Sequence, residues 1–330
     1  MKYPFATLFL ALFACLAQAA PNAPSFARDP AVIEFARGLE QRHGFDANKL
    51  LAQFSQIYPN PKVLQFIKPP VSPVQRSWER YRPRFLNDRR INWGVQFWQE
   101  NQVSLARARA MYGVPEEIIV AIIGVETEYG RNTGNFRVLE ALATLAFNYP
   151  RRAEFFRTEL EQFLLLAREN DMDPLQVRGS FAGAIGIPQF MPGSQRRYAV
   201  DFDGDQRVDL SGSVDDSIGS VARFLEQHGW LPGDPIAMPA RINGEPERSL
   251  IEAGIQPTLK VADLTQQGIT SDADPQATVT LVDLVSPGYA TEYWLGFNNF
   301  YVITRYNRSS FYAMSVFQLA DEIRARMPRQ

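Results

Sequence analysis

The sequence predicts an α+β chain, mainly α, with a small β-rich segment inserted before the C-terminal helix. Three observations predict it. Apolar residues recur at three- and four-residue spacing over long stretches, as in helices with one buried face. Between residues 235 and 296 that period is lost, and prolines, glycines and turn residues separate short β-like runs. From Phe311 to Met327 the helical pattern returns.

Taken in order, residues 21 to 90 read as helices broken by prolines: Asp29 to Arg42, Asp46 to Gln56, then a proline-rich stretch from Pro59 to Pro73. Trp78-Glu-Arg-Tyr81-Arg-Pro83 gathers aromatics and arginines beside a proline break. Asn92 to Met111 predicts one long amphipathic helix with Trp93, Phe97 and Leu105 on its apolar side. Pro115 fits the first position of the next helix, Glu116 and Glu117 its positive first turn, and Gly130 its stop. In Arg151 to Asn170, Phe156, Leu160, Phe163, Leu164 and Ala167 share a face, and Pro174 follows. Residues 179 to 193 are rich in glycine and short of charge. Ser213 caps a helix running to about His228, with Gly229 after its end. Thr278 to Val282 and Glu292 to Leu295 read as strands, and Phe300 to Thr304 as another strand or buried run.

A chain of 330 residues suits two domains, or one with a substantial insertion. Its net charge of −2 carries no basic bias, which argues against nucleic acid as a partner. The pairs Arg89-Arg90, Arg151-Arg152 and Arg196-Arg197 read as solvated helix ends. Lys2, an apolar run from Phe5 to Leu16 and Ala17-Gln18-Ala19 form an export signal with a small-residue cleavage site. The run is too short to span a bilayer as a mature helix. Cys15, the only cysteine, lies within it, so the mature chain has no disulfide. Leu12-Phe13-Ala14-Cys15 also resembles a lipoprotein box. Cleavage before Cys15 leaves a lipid-anchored protein. Cleavage after Ala19 leaves a soluble one, favoured because Phe13 is uncommon in such a box. Two distant histidines, His43 and His228, offer no zinc spacing, and neither a mature thiol nor a Gly-x-Ser-x-Gly elbow is present.

Three segments carry chemistry. In Glu117 to Gly130, Glu126 follows Ile119, Ile122 and Ile123 at seven, four and three residues, which places a carboxylate on the apolar side of an almost wholly apolar helix. Burial and the negative helix end both raise a carboxyl pKa, as a general acid requires. On this feature alone, a glutamate emerging into solvent stays open as the other reading. Glu128, two residues on, faces another side and reads as solvent-exposed. In Gly179 to Pro192, glycines permit close backbone approach, Ser180 and Gln189 offer neutral hydrogen bonds, and Phe190 an apolar face. That mix suits a sugar; a glycine-packed helix pair is the alternative. Asp201, Asp203 and Asp205 stand at positions 1, 3 and 5 of an EF-hand-like loop for a hard cation such as Ca2+. Position 6 is Gln206 rather than Gly, the glycine is Gly204 at position 4, and position 12 is Gly212. A longer loop closing on Asp215 at position 15, with the carbonyl of Arg207, completes the oxygen set. An acidic turn without metal is the alternative.

Together these segments resemble the membrane-bound lytic transglycosylase B family of bacteria, glycoside hydrolase family 103, whose members cleave the peptidoglycan glycan strand. The resemblance runs from about residue 30 to the C-terminus. It rests on Ile122 to Thr127, Leu139 to Arg152, Gly179 to Pro192, Tyr198 to Phe202 and Tyr301 to Asn307. It implies a lysozyme-like helical core with an added helical domain and a small β domain: 1–19 signal, 20–90 helical region, 91–234 catalytic core with the calcium loop 201–215, 235–298 β-rich domain, and 299–330 a return to the core. It places the catalytic acid on Glu126, glycan binding on Tyr81, Ser180, Gln189, Phe190, Tyr306, Asn307 and Tyr312, a peptide-stem contact on Arg151 and Arg152, and structural Ca2+ on Asp201 to Asp215. The implied enzyme is a periplasmic monomer of a Gram-negative bacterium acting on peptidoglycan strands, with other cell-wall enzymes as further partners. It leaves 1,6-anhydro-N-acetylmuramic acid ends, with Glu126 as acid and then base. A lysozyme-type hydrolase and a non-catalytic calcium-stabilised wall-binding module are the other readings.

Overall fold

The computed structural model describes residues 24–68 and 76–328. The export signal with Cys15, and the end of the proline-rich stretch, lie outside them. The chain forms two compact units, Met1–Pro59 and Asn60–Gln330.

In the first unit, α1 (Pro30–His43) starts where Asp29 accepts a hydrogen bond from the amide of Ala31, and it stops at Gly44, whose φ of 65° is left-handed. Asp46 caps α2 (Ala47–Phe54) in the same way. Val32, Ala36 and Leu39 of α1 and Leu50 and Phe54 of α2 are buried.

The second unit holds every residue of the candidate site. Its proline-rich start contains a helix, α3 (Pro61–Ile67), because Asn60 caps it and Pro61 occupies its first position. A short α4 (Trp78–Tyr81) follows. The single helix expected over Asn92 to Met111 is two, α5 (Asp88–Glu100) and α6 (Gln102–Tyr112). Asn101 breaks it by turning its side-chain amide onto the carbonyl of Phe97 at 2.7 Å. In α7 (Glu116–Thr127), Pro115 is the cap rather than the first residue, and Ile118 through Gly124 are all buried. A helix apolar on every side must be enclosed, and α5, α6, a later α11 (Val214–Gln227) and the terminal α15 (Ser310–Arg326) pack around it. The dipeptide strand β1 (Phe136–Arg137) leads into α8 (Val138–Asn148), which packs on α9 (Ala153–Glu169). β2 (Arg178–Gly179) pairs back with β1 and opens the glycine-rich segment, which ends in α10 (Pro192–Tyr198).

The expected β-rich insertion is an antiparallel five-stranded sheet. Its strands are β3 (Ala237–Ile242), β4 (Leu259–Lys260), β5 (Ile269–Thr270), β6 (Thr278–Leu284) and β7 (Glu292–Gly296), in the order β4-β6-β7-β3-β5. Short helices α12 (Arg248–Glu252) and α13 (Val261–Gln266) fill its connections. β6 is buried on both faces. Val279 and Leu281 join a small core with Leu295, whereas Val282 and Leu284 join the main core around α7. The run Phe300 to Thr304 is helical, within α14 (Asn298–Tyr306).

Candidate active site

Near the C-terminal end of α7, Val125 and Glu126 are only partly buried, and Glu126 carries the carboxylate there. α15 supplies its partner: the hydroxyl of Tyr312, a residue 2% exposed, donates to Oε1 of Glu126 at 2.6 Å. Ser309 caps α15 by accepting from the Tyr312 amide, so the phenol hangs from a fixed first turn. Tyr306 stacks on Tyr312 with ring centroids 6.5 Å apart and 13° between planes, and donates its own hydroxyl to the carbonyl of Pro188 at 2.6 Å. Tyr81 lies among Trp78, Phe85 and Phe311, near enough to Glu126 for that charge to raise its own pKa, after burial.

Burial pushes the Glu126 carboxyl up from its ordinary value of 4.5 to about 7, and the Tyr312 hydrogen bond pulls partway back. Part of the residue's surface stays open, yet burial dominates its proton affinity. The helix-end dipole expected from sequence acts in the same direction. A carboxyl balanced near neutrality can give a proton and take one back.

Glu128 is not a freely solvated residue. It sits in the left-handed conformation, and its carboxylate pairs at 2.9 Å with Arg90. Arg90 in turn is 7% exposed, so of the Arg89-Arg90 pair only Arg89 is solvated. The guanidinium reaches inward to the end of α7, where it donates to the carbonyl of Gly124 beside the amide of Glu128, which donates to the same oxygen at 3.2 Å. Glu128, Tyr129 and Gly130 have φ of 52°, 64° and 80°, three left-handed residues in succession. Two lack the glycine that makes this easy, at roughly 1–2 kcal/mol each. Packing holds them: a Cβ on Gly124 would stand 2.6 Å from the Tyr129 ring. Thr127 ties the turn to the glycine-rich segment by donating to the carbonyl of Ile187 at 2.8 Å.

That segment is a tight backbone structure. Bridges join Gly179 to Ile185 and Ile185 to Phe190. The Ser180 hydroxyl oxygen accepts from the amides of Ala182 and Ala184, and Gln189, at φ 53°, donates from its side-chain amide to the carbonyls of Thr133 and Gly186. A Cβ on Gly134 would lie 2.3 Å from the carbonyl oxygen of Gly179, so glycine is required for this approach. Phe190 presents no open apolar face. It is 2% exposed and packs between Phe224 and Tyr306, because the bridge to Ile185 turns it inward. Its contact fixes the Tyr306 ring. Asn307 is exposed just past α14. Arg151 and Arg152 are exposed on the turn between α8 and α9, with Arg152 over the ring of Phe155, and stand outside the contacts around Glu126.

The aspartate loop gathers Asp201, Asp203 and Asp205 so that one carboxylate oxygen from each lies within 4.8 Å of the others. The amides of Gly204 and Gln206 donate to Asp201. Gln206 takes a φ of 71°, the left-handed geometry that glycine usually supplies at position 6. Three convergent oxygen donors on a pre-bent loop fit a hard cation. Asp215 stands apart from this cluster, accepting a hydrogen bond from Ser104. The buried Asp216, which in sequence reads only as an acidic residue near the start of its helix, braces the loop by accepting from the amides of Phe202 and Asp209.

One desolvated carboxyl near the end of a buried helix, edged by tyrosines, is the candidate acid–base group of a mainly helical α+β enzyme. The chain belongs to the transglycosylase SLT domain family, whose model matches residues 27–321. It is 44% identical over 311 residues, 90% of this chain and 84% of the relative, to membrane-bound lytic murein transglycosylase B of Escherichia coli strain K12. The structure resembles soluble lytic transglycosylase SltB1 from Pseudomonas aeruginosa with a TM-score of 0.84 at 49% identity, covering 90% of this chain and 99% of that one. It also resembles Escherichia coli lytic transglycosylase Slt35 in complex with calcium, with a TM-score of 0.83 at 41% identity over 92% of this chain and 96% of that one.

Proposed function

We propose that Glu126 is the acid and then the base of a lytic transglycosylase that cleaves the β-1,4 bond between N-acetylmuramic acid and N-acetylglucosamine in peptidoglycan. The observation that carries this reading is the Glu126–Tyr312 pair on a carboxyl held near neutral pKa. Protonated Glu126 gives its proton to the glycosidic oxygen, and the N-acetylglucosamine side departs. The acetamido oxygen of the muramic acid supports C1 in place of a second enzyme carboxylate. The C6 hydroxyl then bonds to C1, the acetamido oxygen withdraws, and the hydroxyl proton returns to Glu126. The product is a 1,6-anhydro-N-acetylmuramic acid end, no water is consumed, and the enzyme is restored.

Tyr312 favours the ionised intermediate form of Glu126, since its hydrogen bond is strongest to a carboxylate. Tyr81 and Tyr306 supply ring surface, and Asn307, Ser180 and Gln189 polar groups, along the strand. Phe190 serves through Tyr306. The exposed cations of Arg151 and Arg152 suit the carboxylates of a peptide stem. Asp201, Asp203, Asp205 and the carbonyl of Arg207 would hold calcium, which when bound would fix a loop and supply no acid or base; Asp215, bonded to Ser104, lies outside the cluster and would have to turn to join it. Likeness to the membrane-bound relative favours a periplasmic, outer-membrane-associated place; among the described residues no helix is long and apolar enough to cross a membrane. Peptidoglycan strands are the partner this reading requires. A monomer suffices for it, and other cell-wall enzymes are its natural collaborators.

The direct test is digestion of purified peptidoglycan by the native protein and by Glu126→Gln, read by mass spectrometry. Anhydro ends from the native enzyme and none from the variant are expected. Undiminished release by the variant removes Glu126 from its role, and reducing ends, heavier by one water, would make the enzyme a hydrolase.

A further inference from the structure

The catalytic helix ends in a turn that its own sequence does not favour. We propose that Arg90 is a positioning residue: its guanidinium, braced by Glu128, clamps the last turn of α7 so that Glu126 meets the hydroxyl of Tyr312. This inference rests on Glu126 being the acid–base residue.

Four observations converge on Arg90. Its guanidinium spans two partners of α7's end, donating from Nη1 to the Gly124 carbonyl and from Nη2 to the Glu128 carboxylate at 2.9 Å. Its own carbonyl accepts from the hydroxyl of Tyr129 at 2.9 Å, so α5 grips the turn through both side chain and backbone. The residues so held, Glu128 and Tyr129, are the two non-glycine members of the left-handed run, and Glu126 lies two residues before the first of them. Finally, Phe85 lies beneath the guanidinium at 5.5 Å and touches Tyr81 at 5.2 Å, which links the clamp to the aromatic wall of the site.

Burial of a cation is costly unless something is gained by it. Surface stability alone does not need a planar fork, whereas bridging a carbonyl and a carboxylate does, and an ammonium cannot reproduce it. The Gly124 carbonyl closes the last turn by accepting from the Glu128 amide at 3.2 Å, the carbonyls beyond it lack intrahelical partners, and Arg90 adds a second donor at that closing point. Fraying here would move the carboxyl away from Tyr312. Misplacement of a reacting group by about 1 Å costs on the order of a hundredfold in rate.

The test measures kcat and KM on soluble glycan strands, with melting temperature, for Glu128→Gln, Arg90→Lys, Tyr312→Phe and the double variant Glu128→Gln/Tyr312→Phe. If the clamp aims Glu126, Glu128→Gln and Arg90→Lys lower kcat by about ten- to a hundredfold while KM holds. The double variant then loses little more than its worse parent, since both act through one geometry. Native kcat in a folded Glu128→Gln, whatever its melting temperature, overturns the proposal. So do losses that multiply fully in the double variant. Should Arg90→Lys fail to fold, Glu128→Gln decides alone. Glu126→Gln run alongside separates the two levels: if that variant stays active the underlying assignment fails, and if it is dead while the clamp variants are normal only the clamp fails.

Discussion

The hydroxyl of Tyr312 and Oε1 of Glu126 meet at 2.6 Å across 186 residues of sequence, one hung from the start of α15 and the other from the end of α7. The pair sets the direction of every expectation about pH. Tyr312 hydrogen-bonds the charged form and so lowers a carboxyl pKa that burial has raised to about 7.

Tyr312→Phe removes that lowering influence, so the Glu126 pKa rises above about 7. The limb of the pH–rate profile on which activity falls with deprotonation of the acid should move to higher pH. kcat should also drop, because the ionised intermediate loses its donor. A pH series of kcat/KM on glycan strands checks both. A limb that stays in place would mean that the hydrogen bond does not govern the titration.

Loss of the acid altogether is more severe. General acid–base groups contribute about 10²- to 10⁴-fold, and in the proposed mechanism one group serves both steps, so Glu126→Gln should lose at least the upper part of that range. Circular dichroism should show an unchanged helical fold.

The same substitution should stabilise the protein in alkali. The folded carboxyl binds its proton up to about pH 7, whereas in the unfolded chain it titrates near 4.5. Between those values the native state holds more protons than the unfolded one, so stability falls as pH rises through the window. The loss is complete above the folded pKa and reaches roughly 3 kcal/mol at most. Glu126→Gln escapes it. Its melting temperature should exceed that of the native protein at pH 8, and the gap should close toward pH 4.

Calcium should raise the melting temperature and chelation reverse it, because a ligand bound only by the folded state adds stability by mass action, about 2.7 kcal/mol at a hundredfold excess over Kd. Asp201→Asn with Asp203→Asn should abolish the shift while leaving chelated stability near native. A shift that persists in the double variant places the ion elsewhere.

Gly134→Ala should destabilise by roughly 2–3 kcal/mol, since the residue is left-handed at φ 89° and its new methyl would press on the Gly179 carbonyl. Chemical denaturation measures it. Because backbone rather than a mobile side chain is in the way, little relaxation is available.

The legible parts of the fold were those with a strong period: α1, α9, α11 and α15 follow their apolar spacing, and the loss of period after residue 235 marks the sheet. Glu126 was legible because a carboxylate stands out among isoleucines. Tyr312 carries no local signal at all, and the family resemblance alone pointed to it. Arg90 was hidden because paired arginines ordinarily mark a surface. Its burial depends on the partners it meets at the end of α7, a tertiary fact. Asn101 was missed because an asparagine inside an amphipathic period gives no sign of turning onto its own backbone. Phe190 was assigned an open face, since sequence cannot tell which side of a glycine-rich bend a ring takes.

β6 lends one flank to the small core and the other to the core around α7. It works as a party wall. Residues 235–298 are therefore no detachable cassette: excising them would strip Val282 and Leu284 from the core that encloses α7, and moving them to another scaffold would leave that same flank bare. The connection after β6 is tied in as well, since Val285 and Ser286 accept from the amides of Trp78 and Glu79.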